Sequence, residues 1–136
     1  MKNLITSIAC ITILLVFVLQ FATNQVTYNH LSSVDKAVNS FKEVCKQEGC
    51  IGEVNSKKLA EQLVAILGCG AQSISVTGTT EKQLRGERIH YVIQVPIENL
   101  IAASGFWNIS SDKNRMTYKI DNYTTSEYID RGVGAT

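Results

Sequence analysis

Apolar and polar positions divide the chain into three regimes. Residues 4–22, LITSIACITILLVFVLQFA, are almost wholly apolar, and no Asp, Glu, Lys or Arg occurs from residue 3 to residue 34. At about 1.5 Å rise per residue this stretch forms a helix of roughly 28 Å, close to the ~30 Å hydrocarbon thickness of a bilayer. Beyond it the period stays helical but becomes one-sided. Leu31, Val34, Val38, Phe41 and Cys45 are spaced 3, 4, 3 and 4, with Ala37 and Val44 beside the stripe, while Asp35, Lys36, Asn39, Lys42, Glu43 and Lys46 fall mostly elsewhere. No glycine or proline interrupts residues 1–47. The simplest reading is one helix of more than forty residues, lipid-buried in its first half and amphipathic in its second. The alternative is a break at the polar segment 23–30, where Asn24, Thr27 and Asn29 have weak helix propensity.

Gly49 ends that helix and a shorter one follows. Asn55 is suited to its N-cap, Val54 and Leu59 to a hydrophobic staple, and Gly68 to its C-terminal glycine. Leu59, Leu63, Ile66 and Leu67 supply one apolar face. From Gln72 the period changes to two. Ile74 and Val76 alternate with polar neighbours, and Ile89, Tyr91, Ile93, Val95 and Ile97 form the clearest strand. Met116, Tyr118 and Ile120 form a third. Strands with one apolar face belong to an antiparallel sheet covered on one side, here by the amphipathic half of the long helix and by the short helix. The fold class is therefore α+β. Leu31, Val34, Val38, Phe41 and Cys45 carry the helix-sheet packing. The polar connection 78–86 reads as a mobile loop. Leu100, Ile101, Phe106, Trp107 and Ile109 are too apolar for an open loop and are expected to pack back on the sheet.

Charge at the flanks orients the span. Lys2 and the amino terminus are the only positive groups near it before Lys36, which places the N-terminus in the cytoplasm and the remainder outside the cell membrane. The organisation that follows is a transmembrane signal anchor over residues 1–22, an amphipathic continuation over 23–47, an extracytoplasmic α+β head over 48–130, and a flexible tail over 131–136. A cleavable secretory signal is the competing reading. The apolar run is longer than the usual ~7–15 residues of such a signal, and Gln20 with Ala22 makes a poor cleavage site. The segment around Cys10 precedes the end of the apolar run, so lipidation there is discounted.

Net charge is +1, with Lys and Arg scattered, which leaves no electrostatic footprint for nucleic acid. With Cys10 in the span, Cys45, Cys50 and Cys69 lie outside it. Cys45 continues the apolar stripe and reads as a core residue. Cys50 and Cys69 are thus expected to form a disulfide, with Cys45 to Cys69 the next choice. Neither His30 nor His90 has a metal-ligand spacing to the cysteines. The glycines around Cys69 lack the Lys-Ser/Thr of a phosphate loop, and those of residues 131–134 follow no strand. His90 alternates onto the polar face of its strand, where a solvated histidine is expected. No catalytic group, cofactor, metal or small-molecule substrate emerges.

The apolar residues 4–22, the stripe from Leu31 to Cys45, and the strands around Ile74, Ile89 to Ile97 and Met116 to Ile120 together resemble the pilin and pseudopilin architecture. The likeness is greatest to the small TadE-like minor pilins and to single-pass proteins of similar size in Gram-positive bacteria. The resemblance implies a subunit whose helix rests in the lipid bilayer, whose head is exposed outside, and whose partners are other membrane or pilus-type subunits. Only Met1, Lys2 and Asn3 precede the span, and no Glu occurs before Glu43. The resemblance accordingly extends to an anchored accessory component of a secretion, pilus or conjugation apparatus. An extracytoplasmic binding or sensing domain that uses the span only as an anchor is the reading from another class.

Overall fold

A computed structural model describes residues 1–130; the tail expected over residues 131–136 lies outside them. The elements run α1 (Lys2–Glu48), α2 (Glu53–Leu67), β1 (Ser75–Gly78), β2 (Arg88–Glu98) and β3 (Arg115–Thr125), with single 3-10 turns at Ala71–Ser73 and Ser111–Lys113. The fold is α+β: one long helix, a second helix, and a three-stranded antiparallel sheet in the order β1-β2-β3. The helical pattern therefore runs through residues 23–30 without a break. The described residues form two compact units: residues Met1–Leu31 with Ile97–Met116, and residues Ser32–Pro96 with residues 117–130.

The second unit owes its core to two periodicities meeting. On α1, Val34, Val38, Phe41 and Cys45 are buried at helical spacing, and on β2 Ile89, Tyr91, Ile93 and Val95 are buried at every second position. Ile51, Leu59 and Leu63 complete the same cluster, with Ala37, Ile66, Leu67, Ile74, Val76, Tyr118 and Ile120 packed against it. Four of the five residues expected to hold helix to sheet are in this core. Leu31 is only half-buried and stays outside it. The stripe becomes a buried seam one turn later, at Val34.

The start of α2 differs from expectation. Gly52 is the N-cap and gives no side-chain cap, and Asn55 lies inside the first turn, where its amide donates to the Glu48 carboxylate. Val54 is 77% exposed, so there is no staple. At the other end Gly68 adopts the left-handed conformation at φ 66° and donates its N–H to the Val64 carbonyl, as a C-terminal glycine should.

The disulfide expected between Cys50 and Cys69 is not formed, and no cysteine pair is bonded among the described residues. Helix geometry gives the reason. α2 stands between the two residues and is roughly 22 Å long at 1.5 Å per residue, whereas a bridge needs Cα atoms within about 7 Å. Both short connectors would have to fold fully back along the helix. Cys45 is buried as expected, and burial, followed by the nearby Glu48 and Cys50, pushes its thiol up to about 12.

Residues 79–87 are tied down rather than loose. Thr79 accepts from Ile51 N–H at 2.9 Å, Gln83 N–H donates to Gly49 at 2.8 Å, and Gly86 N–H donates to Ser126 at 3.0 Å. This route depends on Gly78, which ends β1 at φ 154°. A Cβ there would lie 2.2 Å from the His90 carbonyl oxygen and 2.5 Å from Ile51 Cδ1. Gly49 is as confined, at φ 77° with Gln83 O at 2.7 Å and Tyr128 Cβ at 2.8 Å. Both positions need the absence of a side chain.

Candidate functional site: the apolar span and its clipped loop

α1 is, among the described residues, the one helix long and apolar enough to cross a membrane, and none of its apolar window is buried. Leu14, Phe17, Val18 and Phe21 are each more than 60% exposed. One apolar helix of this length and exposure is compatible with a membrane anchor.

The polar side chains of the stretch divide into two classes. Thr6, Ser7, Thr12 and Thr23 donate to the carbonyls of Lys2, Asn3, Ile8 and Leu19, each four residues back on the same helix. They are thus satisfied without outside help. Gln20 is too long and too rich in donors and acceptors for that solution. Leaving such an amide unbonded in an apolar environment costs roughly 2–7 kcal/mol. Its Nε2 donates to the Leu100 carbonyl at 3.0 Å and to Asn24 Oδ1 at 3.0 Å, while its Oε1 accepts from Ala102 N–H at 2.9 Å. Gln20 therefore clips the segment 97–116 to α1. The signal available in the sequence was a lone amide inside an apolar run, a group that needs partners from elsewhere in the chain.

The clipped segment is a compact set of turns. Asn99, Ala103 and Asn108 have φ of 58°, 52° and 53°, in the left-handed region that costs an ordinary residue on the order of 1 kcal/mol or more. Hydrogen bonds hold it there. Asn114, 3% exposed, engages both backbone groups of one residue, its Oδ1 accepting from Ile101 N–H at 2.7 Å and its Nδ2 donating to the Ile101 carbonyl at 3.1 Å. Phe106, Trp107 and Ile109 donate their N–H groups to Ala103, Ser104 and Ser104 at 2.8, 3.1 and 2.9 Å. Phe106 and Trp107 meet edge to face, with centroids 5.1 Å apart.

Those two rings do not pack on the sheet, as their apolar character suggested. They remain 72% and 52% exposed and line a groove of about 570 Å³ with Ala9, Thr12, Ile13, Val16, Phe17 and Gln20. The volume matches a ligand pocket, but such pockets carry a few convergent polar groups, and here Gln20 is already committed to the loop. The groove offers apolar contact without chemistry.

The second unit presents a different surface. His90 Nε2 lies 2.7 Å from Asp121 Oδ1, Lys119 Nζ is 2.9 Å from Asp121 Oδ2, and the His90 ring stacks on Tyr123 at 4.6 Å. His90 is thus a paired residue rather than a merely solvated one. The hydrogen bonds from His90, and then from Lys119, hold the Asp121 carboxyl below its ordinary range. Tyr118 OH donates to Asp35 Oδ1 at 3.4 Å, and burial, then the Asp35 charge, raises its phenol. Beside this cluster, Lys42, Lys46 and Arg85 line an open cleft with Tyr91, Tyr123 and Glu127. None of these groups places a nucleophile against a base and an orienting partner.

Searches against protein-family models, curated proteins and solved structures give no match to this chain.

Proposed function

We propose that this chain is a membrane-anchored, pilin-like (TadE-like) structural or accessory subunit of a bacterial pilus, secretion or conjugation apparatus, with no enzymatic activity. The observation that carries the reading is the continuity of α1, an unbroken helix whose first half is a bare apolar rod and whose second half supplies Val34, Val38, Phe41 and Cys45 to a folded core. The second half of the helix is part of the folded core rather than a linker to it. A simple tether would need no such continuity. On this reading the N-terminus stays in the cytoplasm, the folded unit of residues 32–96 and 117–130 lies outside, and the partners are the bilayer and the apolar helices of neighbouring subunits.

The test replaces residues 4–19 with an unrelated transmembrane helix, keeping Gln20, and compares photo-crosslinked protein adducts from a probe at Ile11 with those of the replaced span. A structural subunit gives discrete adducts that disappear on replacement, together with loss of function. Retention of function after replacement contradicts the reading. It would favour an anchored extracytoplasmic binding domain, for which the cleft lined by Lys42, Lys46 and Arg85 is the observation in support.

A further inference from the structure

The bilayer anchor explains the exposed residues of α1 but not the exposed aromatics of the segment clipped to it. We infer that residues 99–111 form a second membrane contact, a loop that enters the lipid beside α1 and buries Phe106 and Trp107 among acyl chains. The inference rests on the reading that α1 crosses a membrane.

Position is the first argument. Gln20 lies about half a turn inside the C-terminal end of the apolar run and fixes the loop at that level through Leu100 and Ala102. The rings lie along residues 9–17, on the N-terminal side of that clip. At about 1.5 Å per residue, the stretch from Phe17 back to Ala9 is some 5–17 Å deeper than Gln20, which begins at and extends past the ~5–10 Å to which interfacial segments sink. If residues 9–17 are in lipid, rings packed beside them are in lipid too.

Composition is the second. Residues 99–111 contain no charged side chain, whereas Glu98 precedes them and Asp112, Lys113 and Arg115 follow. The charges stop where the loop leaves the strands and resume where it returns. Trp is also the residue type that favours the boundary between headgroups and hydrocarbon.

An irregular loop is excluded from lipid because its N–H and C=O groups lose water. Here the turns, Asn114 and Gln20 bond the N–H groups of residues 100–102 and 106–109 and the carbonyls of residues 100, 101 and 103–105. A loop that bonds its own backbone while turning its largest apolar side chains outward is suited to an apolar surrounding and badly suited to water. Lipid is the occupant that continues the surface on which the groove already lies.

Trp107 is the chain's sole tryptophan, so its fluorescence reports the loop without mutation. The full chain is reconstituted into nanodiscs, which leave both bilayer faces open, made from ordinary or from acyl-brominated phosphatidylcholine. The expected result is blue-shifted emission, strongly quenched by brominated lipid and little affected by iodide, with Phe106→Lys reversing both quencher sensitivities while the chain stays in the disc. Quenching by iodide and not by brominated lipid overturns the inference and leaves the anchor intact. Shielding from both quenchers places Trp107 against protein, such as a second copy, and overturns it as well. A chain that does not enter the discs refutes the anchor reading itself.

Discussion

Replacing Val38 with Asp tests whether the amphipathic half of α1 nucleates the folded unit. Val38 is 4% exposed, in the seam between Val34 and Phe41. The substitution loses the burial of a valine side chain, about 1.5–3 kcal/mol. It also places a carboxyl where nothing is positioned to pair with it. A carboxyl in such a site raises its pKa by up to 3–5 units, to about 7 or above, and at 1.36 kcal/mol per unit, protonating it at pH 7 from an ordinary value near 4 costs about 4 kcal/mol. The combined loss is about 6–7 kcal/mol. A unit of roughly 80 described residues has on the order of 4–12 kcal/mol to lose. Val38→Asp is therefore expected to unfold it or leave it barely folded. Val38→Ala, which deletes two methyl groups and leaves a cavity, should cost about 2–3 kcal/mol. Asn39→Asp, on the exposed side one residue later, should stay within about 0.5 kcal/mol of the parent. Pulse proteolysis of the full chain in detergent micelles across a urea series measures all three. A urea slope of about 1–2 kcal/mol per M converts the alanine loss into a midpoint shift of about 1–3 M. A Val38→Asp chain that stays protease-resistant with an unchanged midpoint would refute the packing argument.

Three further outcomes follow from individual residues. At pH 8 a maleimide should label the half-exposed Cys50 and leave Cys45 untouched in the folded chain, because burial holds that thiol near 12; equal labelling by peptide mass spectrometry would contradict it. Since the folded value is the raised one, this group's contribution to stability is complete below about pH 9 and is lost as pH climbs toward 12. Gly49→Ala should be more damaging than Gly68→Ala, although both glycines have positive φ: a Cβ at Gly49 meets backbone at 2.7 Å, while Gly68 faces open space, so only the conformational cost of about 1 kcal/mol applies there. Equal urea midpoints for the two would show that the turn at Gly49 relaxes freely. Asp121, whose folded carboxyl lies below its ordinary value, contributes stability above about pH 4 that disappears as pH falls through the lower folded value. Asp121→Asn should flatten that part of the acid profile, and an unchanged profile would remove the His90–Asp121 pair as a source of stability.

What the sequence disclosed depended on whether a residue's environment was set locally. The length of α1 was legible because nothing from residue 2 to residue 48 breaks a helix, and tertiary packing from Val34 onward supports the weak formers before it. The strand β2 was legible because its alternation is nearly perfect over eleven residues. Where a side chain had two possible partners, the pattern was silent. Asn55 is a good N-cap by type, yet Glu48 is within its reach and Gly52 takes the cap position. Cys50 and Cys69 looked paired by count, while the helix between them holds them apart. The apolar character of Phe106 and Trp107 showed that they required an apolar surface but not which one. The amide of Gln20, a non-local hydrogen-bonding group, made that choice.

On this account α1 anchors the chain in a membrane, with the folded unit of residues 32–96 and 117–130 on the outer face. Protease treatment of intact cells followed by alkaline carbonate extraction tests it most directly, read with one antibody against an N-terminal tag and another against the folded unit. The account requires that external protease destroy the folded unit while an N-terminal fragment stays protected and resists extraction. Recovery of a soluble chain beginning near Thr23 in the medium, or survival of the folded unit until the cells are lysed, would contradict it.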